Sequence, residues 1–309
     1  MEEKQVLALG FFDGVHLGHQ DLLRACREMA DSLSCKAGVL TFESHPDSLV
    51  FGRTPGFINT LSDRDRLLRR YGMETVISLP FDRDLMVMPW QAFYRMLRRD
   101  YSVCGIVCGE DFTFGYRGKG NAALLQQVCR EDGIGCTVVP QRKIEGIPVS
   151  STVIRGLLQS GEMEMANRFL GRTHVLTGTV IPGKQLGRTI GIPTANIAFP
   201  AELQSLRSGV YACTVSVTGE SYAAVVNVGT RPTVSGSGIN VESWILDYDG
   251  DLYGKSLEVR FYTFLRPERK FDSLEDLQTE IRKNADETRR FFASVGKISQ
   301  DQPKYMENG

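Results

Sequence analysis

The sequence predicts an α/β fold in its first half and an antiparallel β fold in its second half. Up to about residue 170, short apolar runs alternate with helical patterns, which is typical of a parallel, doubly wound sheet. Beyond residue 171 the pattern alternates and is interrupted by glycines, as in a β-barrel or sandwich. A length of 309 residues also favours two domains over one. We therefore predict one domain over residues 1–170 and a second over residues 171–309.

Composition and charge are those of an ordinary globular chain. Apolar residues make up 42% and the formal net charge is −1, so a broad nucleic-acid-binding face is not expected. The seven cysteines are scattered without metal-ligand spacing, which fits a reducing cytoplasm. The sequence shows neither a signal-peptide pattern nor an apolar run long enough to span a bilayer. We expect a cytoplasmic protein without a membrane or nucleic-acid partner, and the oligomeric state stays open.

Five apolar runs predict the strands of the first domain, with helices between them. The runs are Val6–Leu9, Ala37–Phe42, Thr75–Leu79, Cys104–Cys108 and Cys136–Val139. Ser62 and Pro89 are predicted to stand at the beginning of two of the helices. In such a sheet, ligands bind beyond the carboxyl ends of the strands. Polar and glycine-rich stretches at residues 10–19, 41–46 and 109–120 follow three of these strands, so we expect the ligand there.

The stretch after the first strand, GFFDGVHLGH, is predicted to bind a phosphate group. Gly10 and Gly14 allow close backbone approach, and the following helix presents free N–H groups to an anion. His16 and His19, three residues apart, would share one face of the first helical turn and donate hydrogen bonds to a phosphate during nucleotidyl transfer. A glycine turn with two surface histidines is the alternative. A zinc site is disfavoured, because Asp13 is the only further ligand candidate nearby.

Two later stretches of the first half carry weaker signals. Residues 109–120 mix aromatic, acidic and glycine residues, as a loop that encloses a base or a flavin ring would; an ordinary mobile loop is the alternative. Ser151 and Thr152 open a helix, with Arg155 one turn further. Hydroxyls and an arginine at a helix N-terminus would form a second phosphate clamp, and simple N-capping is the alternative.

Three motifs, GFFDGVHLGH, GEDFTFG and VSSTVIR, occur in this order and together resemble the adenylyltransferase module of bacterial bifunctional riboflavin kinase/FAD synthetases. The resemblance implies a Rossmann-like nucleotidyltransferase fold that joins FMN and ATP to give FAD and pyrophosphate. It implies catalytic roles for His16, His19 and Arg155. The residues implied to bind the nucleotide are Gly10, Phe11, Asp13, Gly14, Asp111, Ser151 and Thr152. One departure is Ser44, where the family usually has proline.

The chemistry of that reaction agrees with these residue types. The attacking group would be the phosphate of FMN, which is largely ionised near pH 7 because its second pKa is about 6. A general base is then unnecessary. The site has to position two anions and neutralise their charge, for which histidines, helix N-termini and Mg²⁺ suffice.

In the second half, alternating patterns predict four strands and a closing helix. The strands are Val210–Val217, Ser221–Val228, Ile239–Leu246 and Leu257–Phe264, and the helix is Ser273–Phe292.

The stretch GRTIGIPTAN, which ends at Asn196, is predicted to bind Mg²⁺ and phosphate. Its glycines allow a backbone cradle, and Arg188 or Lys184 can meet a phosphate. Thr194 and Asn196 offer oxygen ligands to Mg²⁺, and an extended backbone would point both side chains to one face. A Gly/Pro loop that enters a strand is the alternative.

Glu242 is a candidate general base. Strand alternation places it on one face with Trp244 and Leu246. An alcohol nucleophile benefits from a base, and a carboxylate can accept its proton. An exposed strand glutamate is the alternative.

The second half resembles the riboflavin kinase module of the same bifunctional family, through GRTIGIPTAN, NVGTRPT and Glu242. The resemblance implies a small β-barrel with a C-terminal helix, Thr194 and Asn196 at Mg²⁺-ATP, and Glu242 as the base on the ribityl 5′-hydroxyl. The residues implied to bind nucleotide here are Gly183, Lys184, Gly187 and Arg188. In the last helix, the family has Gln-Ile followed by Asp, whereas Glu280 and Ile281 precede an arginine here.

The leading hypothesis is therefore a two-step enzyme that converts riboflavin to FMN and FMN to FAD with ATP and Mg²⁺. One alternative gives the histidine module another acceptor, such as a tRNA; the net charge of −1 and the lack of a KMSKS-like run argue against it. A second alternative is a non-catalytic flavin-binding regulator. It would predict loss of the candidate catalytic residues, and all are present.

Overall fold

The computed structural model describes residues 3–50, 52, 55–183, 187, 191–233 and 236–295. Its contacts divide the chain into two units, Met1–Ser151 and Thr152–Gly309. Residues 152–170 thus group with the second unit, and the boundary expected at residue 170 stays a prediction. Within the described ranges, no helix has both the length and the apolar character needed to cross a membrane.

The first unit is built on a parallel sheet with helices between its strands. The strands are β1 (Gln5–Leu9), β2 (Lys36–Phe42), β3 (Thr75–Leu79), β4 (Val103–Gly109), β5 (Thr113–Phe114), β6 (Gly120–Asn121), β7 (Gly135–Val139), β8 (Lys143–Ile144) and β9 (Ile147–Pro148). The helices are α1 (Leu17–Leu33), α2 (Pro46–Val50), α3 (Leu61–Arg70), α4 (Arg83–Val87), α5 (Trp90–Tyr101) and α6 (Ala122–Glu131). The five-stranded sheet has the order β3-β2-β1-β4-β7, and β5-β6 and β8-β9 form short hairpins. All five predicted strands are confirmed.

The central strand β1 is buried on both faces. Val6 and Ala8 pack in a cluster with Leu23 of α1, while Leu7 packs on the other face with Leu97 of α5. This double burial explains why β1 is an uninterrupted apolar run. Because β2 and β4 flank β1, the loops that follow these three strands lie at the same edge of the sheet.

The starts of α3 and α5 can be compared with the predictions for Ser62 and Pro89. Pro89 directly precedes α5, as predicted. The prediction that Ser62 caps α3 was wrong, because Thr60 is the N-cap and its side chain accepts the Asp63 N–H. Serine and threonine are both common N-cap residues. Which of Ser62 and Thr60 caps the helix depends on where the chain turns into it.

The second unit is a closed barrel with helices at both ends of its sequence. The helices are α7 (Ser151–Ser160), α8 (Met163–Leu170) and α9 (Leu274–Val295). The strands are β10 (His174–Ile181), β11 (Ala195–Ala198), β12 (Gly209–Val217), β13 (Glu220–Thr233), β14 (Gly236–Ile245) and β15 (Ser256–Pro267). They close in the order β10-β11-β14-β13-β12-β15, which decides for the barrel over a sandwich. The four predicted strands and the closing helix are confirmed.

Two buried arrangements hold helices to this barrel. On one face, Val210, Val225 and Leu246 pack against Ala285 of α9. Near the other end of the sequence, Asn167 of α8 is fully buried. Its Nδ2 donates to the Phe261 carbonyl at 2.8 Å, and its Oδ1 accepts the His174 N–H at 2.7 Å. The amide therefore satisfies one backbone group on each of two strands.

Replacing Asn167 by leucine is expected to destabilise the second unit by about 2–4 kcal/mol. Leucine has similar volume, but it leaves two buried backbone groups without their partners, and each such loss costs about 1–3 kcal/mol. Urea unfolding can be followed by Trp244 fluorescence in a Trp90→Phe background, since the chain has 2 tryptophans. The exposed Gln127→Leu change is the control and should shift stability by less than about 0.5 kcal/mol. Equal effects of the two changes would contradict the role of Asn167.

Two candidate active sites

The turn between β1 and α1 has a tight backbone. Phe12 and Val15 adopt positive φ angles of 58° and 40°, and Gly14 has a φ of 79°. A Cβ on Gly14 would lie 2.9 Å from Cδ1 of Ile58. Both the conformation and the available space therefore favour glycine at this position.

His16 and His19 lie together at the N-terminus of α1. His16 is buried and is the N-cap of the helix, where its Nδ1 accepts the His19 backbone N–H at 3.3 Å. The two rings stack with their centroids 3.6 Å apart and their planes 14° apart. The expectation that His16 lies within the first helical turn was wrong, because its backbone is extended. The cap, together with the stacking, brings the two imidazoles to one place.

A buried arginine joins the ends of β1 and β2. Arg64 of α3 is only 4% exposed. Its Nη1 donates to the Phe11 carbonyl at 3.0 Å and its Nη2 to the Phe42 carbonyl at 2.7 Å. Thr41 Oγ1 donates to the same Phe11 carbonyl at 2.9 Å. These donors hold the negative end of the Phe11 peptide, so its orientation is settled by the fold.

The charge of Arg64 is balanced locally. Burial lowers the pKa of the Arg64 guanidinium, and the nearby Asp13 carboxylate acts in the opposite direction. Asp13 is itself buried, and its Oδ1 accepts the Ile58 N–H at 2.9 Å. Arg64 does not stand out in the sequence, because α3 is rich in charged residues, a composition typical of a helix exposed to solvent.

The structure brings part of the predicted nucleotide site together. Ser151 Oγ donates to the Asp13 carbonyl at 2.9 Å, so Ser151, the last residue of the first unit, is attached to the β1–α1 turn. The residues gathered at this turn are Gly10, Phe11, Asp13, Gly14, His16, His19 and Ser151. Asp111 is exposed in the loop after β4, the neighbour of β1. Thr152 and Arg155 lie on α7 in the second unit, and their roles at this turn stay predictions.

In the barrel, three polar side chains form a row across neighbouring strands. Asn196 of β11 pairs with Glu242 of β14, which pairs on its other side with Asn227 of β13. Directly paired residues share a face of the sheet. Glu242 Oε1 accepts a hydrogen bond from Asn240 Nδ2 at 2.9 Å. The register therefore brings Asn196, a predicted Mg²⁺ ligand, next to Glu242, the predicted base.

Asn196 has the properties of a ligand residue. It is buried, and its Oδ1 has no hydrogen-bond partner among the residues that the structure describes. A Cβ at Gly183 would overlap the Asn196 side chain, and one at Gly187 would overlap the Ile192 carbonyl. Both glycines therefore allow a close approach that a side chain would prevent. Lys184 and Arg188 lie outside the described residues.

Two cavities of the second unit share Thr194. The larger has a volume of about 370 Å³ and is lined by Glu242, Trp244 and Phe271, with Gly187 and Asn227. The smaller has a volume of about 210 Å³. Its lining residues are Val180, Pro193, Thr194, Ala195, Ser243, Ile245, Tyr248, Asp249, Gly250, Asp251, Leu252 and Tyr253. The larger cavity combines a carboxylate with aromatic walls, as a site for an amphipathic ring system would.

Helix α9 forms one wall of the larger cavity. Leu277, Ile281 and Asn284, spaced four and three residues apart, line it. Glu280 is buried and forms ion pairs with Arg266 and Arg269. The glutamate that departs from the family pattern therefore forms ion pairs with two arginines of the cavity wall, while Ile281 also lines the cavity.

Comparisons with known proteins agree with both units. A family model described as FAD synthetase matches residues 1–153, and one described as riboflavin kinase matches residues 170–292. A Haemophilus influenzae protein named bifunctional riboflavin kinase/FMN adenylyltransferase is 36% identical, covering 93% of this chain and 94% of its own. A Listeria monocytogenes protein of the same name is 33% identical, with 94% and 93% covered. The crystal structure of a Streptococcus pneumoniae protein described as a macrolide-efflux protein superposes with a TM-score of 0.87 at 30% identity, covering 94% and 95%.

Changing Arg64 to methionine is expected to lower the stability of the first unit by about 3 kcal/mol and to accelerate amide exchange over residues 10–14. The change removes charged hydrogen bonds from two buried carbonyls. Hydrogen-exchange mass spectrometry measures both effects. Arg69→Met on the same helix is the control, because both side chains of its ion pair with Asp65 are exposed to solvent and such a pair contributes less than about 1 kcal/mol. Unchanged exchange over residues 10–14 in the Arg64 variant would refute the anchoring role.

Proposed function

This chain belongs to the bifunctional riboflavin kinase/FMN adenylyltransferase family, and from this membership we propose which residues carry each reaction. The chain phosphorylates riboflavin to FMN with its second unit and adenylylates FMN to FAD with its first. Riboflavin, FMN and ATP are its substrates. The cytoplasmic location stays a prediction.

In the first unit, His16 and His19 act on the phosphates of ATP. The observation that carries this assignment is the stacked imidazole pair at the N-terminus of α1. Because His16 Nδ1 accepts the His19 N–H, the neutral ring carries its proton on Nε2, which is then a donor. The phosphate oxygen of FMN attacks the α-phosphorus of ATP, and the bond to pyrophosphate breaks. The imidazole donors and the positive end of the α1 dipole stabilise the charge that develops on the α-phosphate.

The other predicted residues of this unit have supporting roles. The nucleotide is proposed to approach the backbone closely at Gly10, Phe11 and Gly14. The turn is held in place by the hydrogen bonds of Asp13 and Ser151. Asp111 is proposed to bind the nucleoside, and Thr152 and Arg155 to close the phosphate site. These last three assignments rest on the family motifs in the sequence.

In the second unit, Glu242 is the general base. The supporting observation is the position of its carboxylate in the wall of the larger cavity, beside Trp244 and Phe271. Riboflavin binds there with its ring system against the aromatic side chains. Glu242 accepts the proton of the 5′-hydroxyl as that oxygen attacks the γ-phosphorus of ATP, and ADP leaves.

Mg²⁺ is proposed to bind at Thr194 and Asn196. A hydroxyl and an amide oxygen are the hard ligands that this cation prefers, and the buried Asn196 Oδ1 lacks a hydrogen-bond partner within the described part of the chain. Bound there, the ion would neutralise charge on the ATP phosphates. Because Gly183 has no Cβ, the Asn196 side chain can lie directly against its backbone. Lys184 and Arg188 are proposed as phosphate contacts from the sequence alone.

Two single substitutions are expected to separate the two activities. His16→Ala should lower FAD formation from FMN by about 100-fold or more and leave FMN formation from riboflavin unchanged. Glu242→Gln should lower FMN formation by about 100- to 10,000-fold and leave FAD formation unchanged when FMN is supplied. Product chromatography after incubation with ATP and Mg²⁺ measures both. In each variant, the activity that is retained is the control for a folded protein. A folded variant that loses both activities would contradict the proposal that the two sites act independently.

Asn196→Ala is expected to raise the Mg²⁺ concentration for half-maximal FMN formation by about tenfold or more, because one ligand oxygen is lost. The measurement is a Mg²⁺ titration at saturating ATP and riboflavin. The Mg²⁺ dependence of FAD formation by the first unit is the control and should not change. If both titration curves of the variant coincide with those of the unchanged protein, Asn196 is not a ligand.

A further inference from the structure

We propose that the hydroxyl of Ser243 forms a hydrogen bond with the nucleoside part of the ATP consumed in riboflavin phosphorylation, an inference that rests on the proposed function of the second unit. Neither the sequence motifs nor the family resemblance points to this residue.

Riboflavin and ATP occupy different cavities. Glu242 lines the larger cavity and not the smaller one, so the 5′-hydroxyl that it deprotonates lies in the larger cavity. In phosphoryl transfer, the attacking and leaving oxygens stand in line on opposite sides of the phosphorus. The donor nucleotide therefore approaches from the other side. Thr194 is in the wall of both cavities, which places the transferred group beside it and the rest of ATP in the smaller cavity.

The lining of the smaller cavity suits a nucleoside. Val180 and Leu252 are buried apolar residues, and the ring of Tyr248 adds an aromatic wall. Such surfaces favour a flat base. Asp249 and Asp251 add carboxylates, which accept hydrogen bonds from hydroxyl or amino groups.

Ser243 is the polar group in the buried part of this wall. It is 0% exposed, and its Oγ has no hydrogen-bond partner among the residues that the structure describes. It pairs with Ala195, the residue after Thr194. A buried hydroxyl without a partner destabilises the free protein. A nucleoside in the cavity would provide that partner. Binding would then remove the free-energy cost of the unsatisfied hydroxyl, and this gain would increase the affinity for ATP.

The alternation of β14 explains how one strand serves both substrates. Successive side chains of a strand point to opposite faces. Glu242 therefore faces the larger cavity on the outside of the barrel, whereas Ser243 faces inward with Val241 and Ile245. The proton acceptor for riboflavin and the hydrogen-bond partner for ATP are thus consecutive residues with a fixed separation.

Ser243→Ala is expected to raise the KM for ATP in FMN formation by about five- to tenfold, the usual effect of losing one neutral hydrogen bond. The bond is made in both the ground state and the transition state, so kcat should change by less than about twofold. The KM for riboflavin should also stay within about twofold. The melting temperature without ATP should stay equal or rise, because the buried hydroxyl is removed. A merely structural role for Ser243 would instead lower the melting temperature.

Thr214→Val is the matched control. Thr214 of β12 is also buried in the barrel, and its hydroxyl likewise lacks a partner in the described part of the chain. It lines neither of the two cavities. Its removal should leave the KM for ATP unchanged.

Three outcomes would overturn the inference: a KM for ATP within twofold of the unchanged protein, an equal rise in the Thr214 variant, or a rise confined to riboflavin. Its failure is distinguishable from failure of the proposed function. If Glu242→Gln retained full FMN formation, the proposed function itself would fall. If Glu242→Gln lost activity while Ser243→Ala kept its KM for ATP, only the role of Ser243 would be lost.

Discussion

A polar atom that is taken out of water needs a hydrogen-bond partner, and this constraint bears on both the scaffold and the candidate sites of this protein. The carbonyls of Phe11 and Phe42 receive theirs from Arg64, and the barrel backbone receives one from Asn167. These groups are satisfied within the fold and therefore hold it together. Asn196 Oδ1 and Ser243 Oγ have none in the described structure, and both belong to the region where ATP is proposed to bind.

The two units solve different chemical problems, and their residues differ accordingly. FMN brings an ionised phosphate as nucleophile, so the first unit needs charge stabilisation and no base. The stacked histidines at the N-terminus of α1 suit that task. Riboflavin brings a neutral alcohol, which reacts far better once its proton has an acceptor. Glu242, in the wall of the barrel cavity, is the proposed acceptor. Both units need a place for ATP, and each proposed place lies beside glycines that permit close backbone approach.

Sequence reasoning found the residues whose chemistry is unusual for their setting. Two of the chain's 4 histidines in one glycine-rich turn, and a threonine two residues from an asparagine after a glycine loop, stand out against the average composition. It missed Arg64, because a charged residue on a charged helix gives no sign of being buried. It also missed Ser243, because a serine in a strand becomes informative only when its burial and its neighbours are known. The predictions that Ser62 caps α3 and that His16 lies within the first turn of α1 were wrong, since the N-cap position depends on where the chain turns into the helix.

The sequence by itself determined the parallel sheet, the barrel strands and the closing helix, because apolar periodicity reflects which faces are buried. Together with the motifs, it also determined the two activities. Only the tertiary structure decided that Asn196, Glu242 and Asn227 form one row, because strand register joins residues far apart in the chain. Only it decided that two cavities meet at Thr194. Contacts between distant segments produce no periodic pattern in the sequence. Each segment could pair with many others, so the sequence pattern alone does not identify the one that it contacts.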